Sequence, residues 1–244
     1  MGQKNNVIVR IAGAAGDGIA STGEFLGKTC SRMGLHVLAY NSFQSAIRGG
    51  HVWLQMAIGP DKQLDHGEQP EIALLFNKTS PAVHVPDMKA GGIVFYNAGT
   101  IKKEEIEGLR SDVHFYGLDF KKMTDDAGLT GVNSVMLNVM LSGALVQAIG
   151  LEAEVTREFI KHKFAKKGEQ VLDLNLAIFN LGAEWTAKNV KEKSPQMKGD
   201  GKPKIFMTGN EALGLGLVAG GLKLYSAYPM SPATGILHYL ATIA

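Results

Sequence analysis

The sequence predicts an α/β protein, with a mainly parallel sheet flanked by helices over residues 1–190 and a β-turn-α segment that opens a second domain. Three observations carry this. The β-branched run Val7-Ile8-Val9-Arg10-Ile11 enters a glycine turn, then a helical pattern, then a second strand-like run at His36-Val37-Leu38-Ala39-Tyr40. Further short apolar runs come before long amphipathic ones, the rhythm of a sheet covered by helices. Composition then shifts after Asn189, and the β-turn-α rhythm restarts at Ile205.

The first unit reads as strand, turn, helix, strand, with Ile19, Phe25, Leu26 and Met33 as helical core contacts. More strands are expected at Val52–Ile58, Glu71–Phe76, Ile93–Tyr96 and His114–Tyr116. From Asn133 to Ile149 the chain is apolar almost all round, which predicts a helix packed on more than one side. Amphipathic helices follow at Glu152–Phe164 and Gln170–Asn189. Residues 191–204 are charged, carry Pro and Gly, and read as a linker. Over residues 205–244 a strand-like Ile205-Phe206-Met207 leads to a helix at Glu211–Leu222, a Pro-bearing turn and a last apolar helix. So small a unit buries too little surface to stand alone. The expectation is that it starts a longer domain.

Composition narrows the function. The 244 residues carry a net charge of +2, too small to argue for nucleic acid. One cysteine, Cys30, excludes an internal disulfide and a four-cysteine cluster. Histidines are scattered without metal-ligand spacing, so no metal site within the chain is expected. No run is long and apolar enough for a membrane span, and no signal-peptide core is seen; a soluble, cytoplasmic protein is expected.

Gly13-Ala14-Ala15-Gly16-Asp17-Gly18 lies where a strand hands over to a helix. Gly13, Gly16 and Gly18 permit a tight turn and close approach of a ligand to free amides, which suits a phosphate or diphosphate. A tight turn that binds nothing has the same pattern. Asp17 is awkward beside an anion and is expected to cap the helix. A dinucleotide site would need a carboxylate after the second strand, but Tyr40-Asn41-Ser42 supplies none, which argues against NAD. Gly23-Glu24-Phe25-Leu26-Gly27-Lys28-Thr29 echoes a nucleotide-binding loop, yet it is one residue short and lies inside the expected helix. Gly199-Asp200-Gly201 echoes a metal-binding turn but sits in the linker. Arg48, in Ser45-Ala46-Ile47-Arg48-Gly49-Gly50, either forks onto an anion or is an exposed loop arginine.

The Gly13–Gly18 turn, the Ser45–Gly50 turn and the Asn133–Ile149 helix together resemble the gamma domain of 2-oxoacid:ferredoxin oxidoreductases. Gly209-Asn210-Glu211-Ala212 and Tyr228-Pro229-Met230-Ser231-Pro232 resemble the start of their alpha domain, a pyrimidine-type thiamine-binding fold. Gamma before alpha is the order of the fused alpha subunits. The resemblance implies thiamine-dependent oxidative decarboxylation of a 2-oxoacid, 2-oxoglutarate first, with the acyl group passed to coenzyme A and electrons passed through iron–sulfur clusters to ferredoxin. It implies that Gly13, Gly16, Asp17 and Gly18 help hold coenzyme A, with Arg48 near the same cleft. Tyr228, Pro229 and Ser231 would line the thiamine and substrate site, Ser231 standing where the family has threonine. Thiamine diphosphate, magnesium and clusters would belong to a beta subunit or the whole complex, in an oligomeric assembly. The chain alone is then expected to be inactive. Two alternatives are a purely structural assembly module and an NAD-dependent oxidoreductase.

Overall fold

The computed structural model describes residues 6–42, 50–133, 136–192, 194, 196–230 and 232–243. The chain divides into two compact units, Met1–Lys204 and Ile205–Ala244.

In the first unit, six strands form one sheet: β1 (Val7–Ala14), β2 (His36–Asn41), β3 (His51–Gly59), β4 (Ile72–Leu75), β5 (Ile93–Asn97) and β6 (His114–Leu118), in the order β2-β3-β1-β4-β5-β6. β1, β4, β5 and β6 pair in parallel. β3 runs antiparallel between β1 and β2, so the expected strand–helix–strand unit has a strand inserted between its two strands. The β-branched, apolar composition of β1, β3, β4 and β5 explains why these strands are largely buried, whereas the edge strand β2 has no buried residue.

Alternation sorts the faces. Val7, Val9 and Ile11 are fully buried on one side. There Leu54, the register partner of Ile11, abuts Gly23 of α1 (Ile19–Arg32). Helices α4 (Leu137–Ala148), α5 (Ala153–Phe164) and α6 (Glu169–Asn189) complete this layer around α1. Every residue of α4 except Gln147 is buried, as its all-round apolar sequence requires. The other sheet face packs Ala12, Ala73, Leu75, Val94 and Tyr96 against Val85, Met88, Ile101 and Ile106. These come from the segments joining β4 to β5 and β5 to β6, Val85 being the residue that ends α2 (Ser80–His84). A second short helix, α3 (Phe120–Asp126), follows β6, its N-terminus capped by Asp119. Neither short helix is marked by periodicity in the sequence, each being too short to show an amphipathic repeat.

Residues 194–204, a linker by composition, are tied to the first unit. Met197 is buried and donates its N–H to Ile149 O at 2.9 Å. Gly201 and Lys204 donate theirs to Met33 O and Ser31 O at 3.1 and 2.8 Å.

The second unit holds α7 (Gly209–Ala219) and α8 (Thr234–Ile243). Thr208 and Glu211 form a reciprocal capping box that starts α7. Gly214 lets Tyr239 of α8 approach, and Asn210 donates to Pro232 O at 2.8 Å. The expected strand at Ile205–Met207 does not form. Among the described residues of the unit no strand pairs with it, and Ile205 is exposed.

Candidate functional site

β1 delivers the chain to the glycine turn. Ala15 donates its N–H to Gly50 O at 3.1 Å, and Asp17 donates its own to Ala14 O at 3.0 Å. Gly16 and Gly18 adopt φ of 106° and 90°, a region in which a side chain would be strained. Gly18 is the N-cap of α1, and no side chain caps that end. The amides of Ile19, Ala20 and Ser21 therefore lack helical partners and point out of the positive end of the helix.

Asp17 does not cap α1, contrary to expectation. Its Oδ2 accepts from Ala14 N–H at 2.7 Å, back toward the strand. The cap position falls one residue later, at Gly18, so the carboxylate closes the turn and leaves the helix end free.

A cavity of ≈ 430 Å³ opens on that free end. Gly16, Gly18, Ile19, Ala20 and Ser21 form one wall, with Asn41, Ser42, Val52 and Trp53 opposite. Among the described residues, no ionisable side chain lines it. The end of β2 therefore stands where a ribose-binding carboxylate would stand and presents an amide and a hydroxyl. Ser42 Oγ is itself engaged, accepting from Trp53 N–H at 2.9 Å.

A larger cleft of ≈ 1130 Å³ shares Ser21 with the first. Its walls come from Phe25, the Gly128–Gly131 loop, Asn138 and Val139 of α4, Lys163 of α5 and Asn175 of α6. Lys163 is engaged with Glu24 at 3.0 Å and lies over the Phe25 ring. Lys28, in the sequence that echoes a nucleotide loop, lies in α1 and pairs with Glu24 at 2.7 Å. Asp200 pairs with Lys204 at 3.0 Å.

The structure thus joins Gly13, Gly16, Asp17 and Gly18 in one turn. Arg48 and Ser231 lie outside the described residues. Tyr228 and Pro229 belong to the second unit and are exposed.

A polar network that sequence pattern does not announce lies on the sheet face opposite α1. Arg10, 6% exposed, donates to Gln55 Oε1 at 2.7 Å, to Asp87 Oδ2 at 2.8 Å and to His84 Nδ1 at 3.3 Å. Trp53 packs over its guanidinium at 5.2 Å. His84 and His51 meet Nε2 to Nε2 at 2.7 Å. Arginine only donates, so His84 Nδ1 accepts, His84 Nε2–H donates to His51, and His51 Nδ1 carries a proton. Burial, then the nearby Arg10 charge, pushes the His84 pKa down to about 3, and burial also lowers that of His51. His51 is the register partner of Ala14, so the network braces the sheet beside the glycine turn. Its one sequence signal is an arginine inside an apolar strand.

Comparison with known proteins places these features in a family. The model for pyruvate ferredoxin/flavodoxin oxidoreductase matches residues 8–185. The ketoisovalerate oxidoreductase subunit VorA of Methanothermobacter marburgensis is 30% identical over 76% of this chain and 37% of its own length. The 2-oxoglutarate oxidoreductase subunit KorA of Mycobacterium tuberculosis is 25% identical over 97% of this chain and 41% of its own. The chain therefore spans about two fifths of the length of these curated relatives. Among solved structures, 2-oxoglutarate:ferredoxin oxidoreductase from Magnetococcus marinus, with 2-oxoglutarate, coenzyme A and succinyl-CoA bound, superposes with a TM-score of 0.86 at 30% identity. That match covers 98% of this chain and 41% of the other. The pyruvate oxidoreductase subunit PORC from Thermotoga maritima shares the fold, with a TM-score of 0.60 at 23% identity over 74% of this chain and 97% of its own. The matched segment takes in the glycine turn, nearly all of the sheet behind it and most of the helices around it, and the chain belongs to the pyruvate ferredoxin/flavodoxin oxidoreductase family.

Proposed function

We propose that this chain is part of a coenzyme A-acylating 2-oxoacid:ferredoxin oxidoreductase and that its glycine turn holds the coenzyme. One observation carries the reading: the N-terminus of α1 is free of any side-chain cap and opens on a cavity that no carboxylate lines among the described residues. A diphosphate is the group that such an end accepts. The likeness to a structure with coenzyme A bound supports the choice of ligand. Asn41 and Ser42, in place of an acidic residue, support coenzyme A over NAD.

The assigned substrate is 2-oxoglutarate, on the strength of the same likeness and of the KorA relative. Residues 205–244 begin the alpha domain, and Tyr228, Pro229 and Ser231 contribute one wall of its substrate site. Thiamine diphosphate supplies the decarboxylation chemistry, and in this reading it is held with magnesium by a beta subunit. Clusters belong there too. Cys30 is fully buried and burial raises its thiol pKa well above the ordinary range, so it is no cluster ligand. Ferredoxin takes the electrons from the assembled complex, and this chain alone turns nothing over.

Thermal denaturation with added ligand tests the reading. Coenzyme A at a hundred times its Kd stabilises the fold by about 2.7 kcal/mol. A melting temperature that coenzyme A leaves unchanged, or that NAD alone raises, overturns it.

A further inference from the structure

Asn138 is a side chain beside the glycine turn that chain packing does not explain. It sits in the first turn of α4, a helix otherwise built of apolar and small residues apart from Ser142 and Gln147. Ser142 is bonded back to its own helix, its hydroxyl donating to Asn138 O at 2.7 Å. The Asn138 side chain is 6% exposed and makes no hydrogen bond among the described residues. Its amide opens on the larger cleft, which Asn138 lines, and no group among the described residues claims it; asparagine is also a poor helix former. Its position names a use for it. A Cβ placed on Gly18 would lie 2.6 Å from Asn138 Nδ2, so the carboxamide stands directly over the free end of α1.

That end is also where the two cavities meet. Gly18 and Ser21 line the smaller, and Ser21 and Asn138 line the larger. We propose that Asn138 is a ligand-binding residue: its Nδ2–H donates to the diphosphate of an extended ligand, beside the amides of Ala20 and Ser21, where the ligand passes from one cavity to the other. The ligand class rests on the coenzyme A reading above. Gly18 is then required for two reasons, its φ of 90° and the absence of a Cβ that would push Asn138 away. The helix end supplies partial charge without direction, while the carboxamide supplies a donor at a fixed point.

The roles of ligand contact and structural prop predict opposite signs. Asn138→Ala removes an amide that has no partner among the described residues and puts a strong helix former in its place, so the free protein melts no lower than wild type. A loss of one charge-assisted hydrogen bond weakens coenzyme A about tenfold or more. Ser21→Asp is the second variant. An acid in the first turn of α1 favours the helix, yet it places a negative charge on both cavities and also weakens coenzyme A about tenfold. Isothermal titration of the 244-residue chain with coenzyme A, with melting curves of the free proteins, reads both. If the wild type does not bind, the coenzyme A reading itself falls. If the wild type binds and Asn138→Ala or Ser21→Asp binds equally well, that reading stands and the role given to Asn138 falls. A lower melting temperature for free Asn138→Ala also overturns it, as the mark of a structural residue.

Discussion

His51 and His84 face each other Nε2 to Nε2 at 2.7 Å, at the end of a chain of hydrogen bonds that starts on the buried guanidinium of Arg10. Both rings must be neutral for the chain to hold: a second proton on His51 would set its Nε2–H against that of His84, and a second proton on His84 would set its Nδ1–H against the Arg10 guanidinium. Arg10 and Gln55 are register partners on β1 and β3, and His51 and Ala14 are partners at the other end of the same pair. The network therefore ties the strand pair that leads into the glycine turn to α2.

This makes stability depend on pH in a definite direction. The His84 pKa is about 3 in the fold and 6.5 in the unfolded chain, so folding favours the neutral ring. The stabilisation is complete above pH 6.5 and is lost as pH falls toward 3, at up to about 1.4 kcal/mol per pH unit for one proton. His51, shifted the same way, adds to it. The melting temperature of wild type should fall more between pH 7 and pH 4.5 than that of His84→Asn. Parallel curves for the two would show that His84 does not titrate as described.

Arg10 is the hub. Arg10→Met leaves Gln55 Oε1 and His84 Nδ1 without their buried donor and should cost about 2 kcal/mol in urea denaturation. Asp87→Asn touches the same hub from its exposed side, where the carboxylate is 59% accessible. It should cost less than about 1 kcal/mol. Equal losses for the two would show that the buried contacts carry no more than the exposed one.

The helical layer has its own point of tightest approach. A Cβ on Gly143 of α4 would lie 2.0 Å from Phe179 O, and one on Gly182 of α6 would lie 2.0 Å from Met140 O. Each glycine admits the backbone of the other helix. Gly143→Ala and Gly182→Ala should each cost about 2–3 kcal/mol by forcing α4 and α6 apart. Alanine is the better helix former, so a stabilised variant would mean that the helices are not held this close.

The sheet and the long helices are legible because their signals are local. β-branched runs mark the strands, and the apolar circumference of residues 133–149 marks a buried helix. Pairing is not local: nothing in residues 7–41 announces that β3 inserts between β1 and β2. The glycine turn is visible, but the side toward which Asp17 turns depends on which residue becomes the cap. Ile205-Phe206-Met207 has strand composition and no partner strand in its unit, so composition misleads there. The polar residues beside the turn are harder still. Arg10 stands out in its strand, but Gln55 and His84 lie 45 and 74 residues away. Asn138 is one amide in a greasy helix until the fold sets it over Gly18.

The central claim is that coenzyme A sits on the glycine turn with its diphosphate at the start of α1. Amide chemical-shift mapping of the isotope-labelled 244-residue chain during a coenzyme A titration tests this most directly. The largest changes should fall on the backbone amides of Gly16, Gly18, Ala20 and Ser21 and on the side-chain amide of Asn138, and NAD should not reproduce them. An unchanged spectrum, or largest changes at residues remote from Gly16–Ser21 such as those of α7 and α8, would contradict the claim.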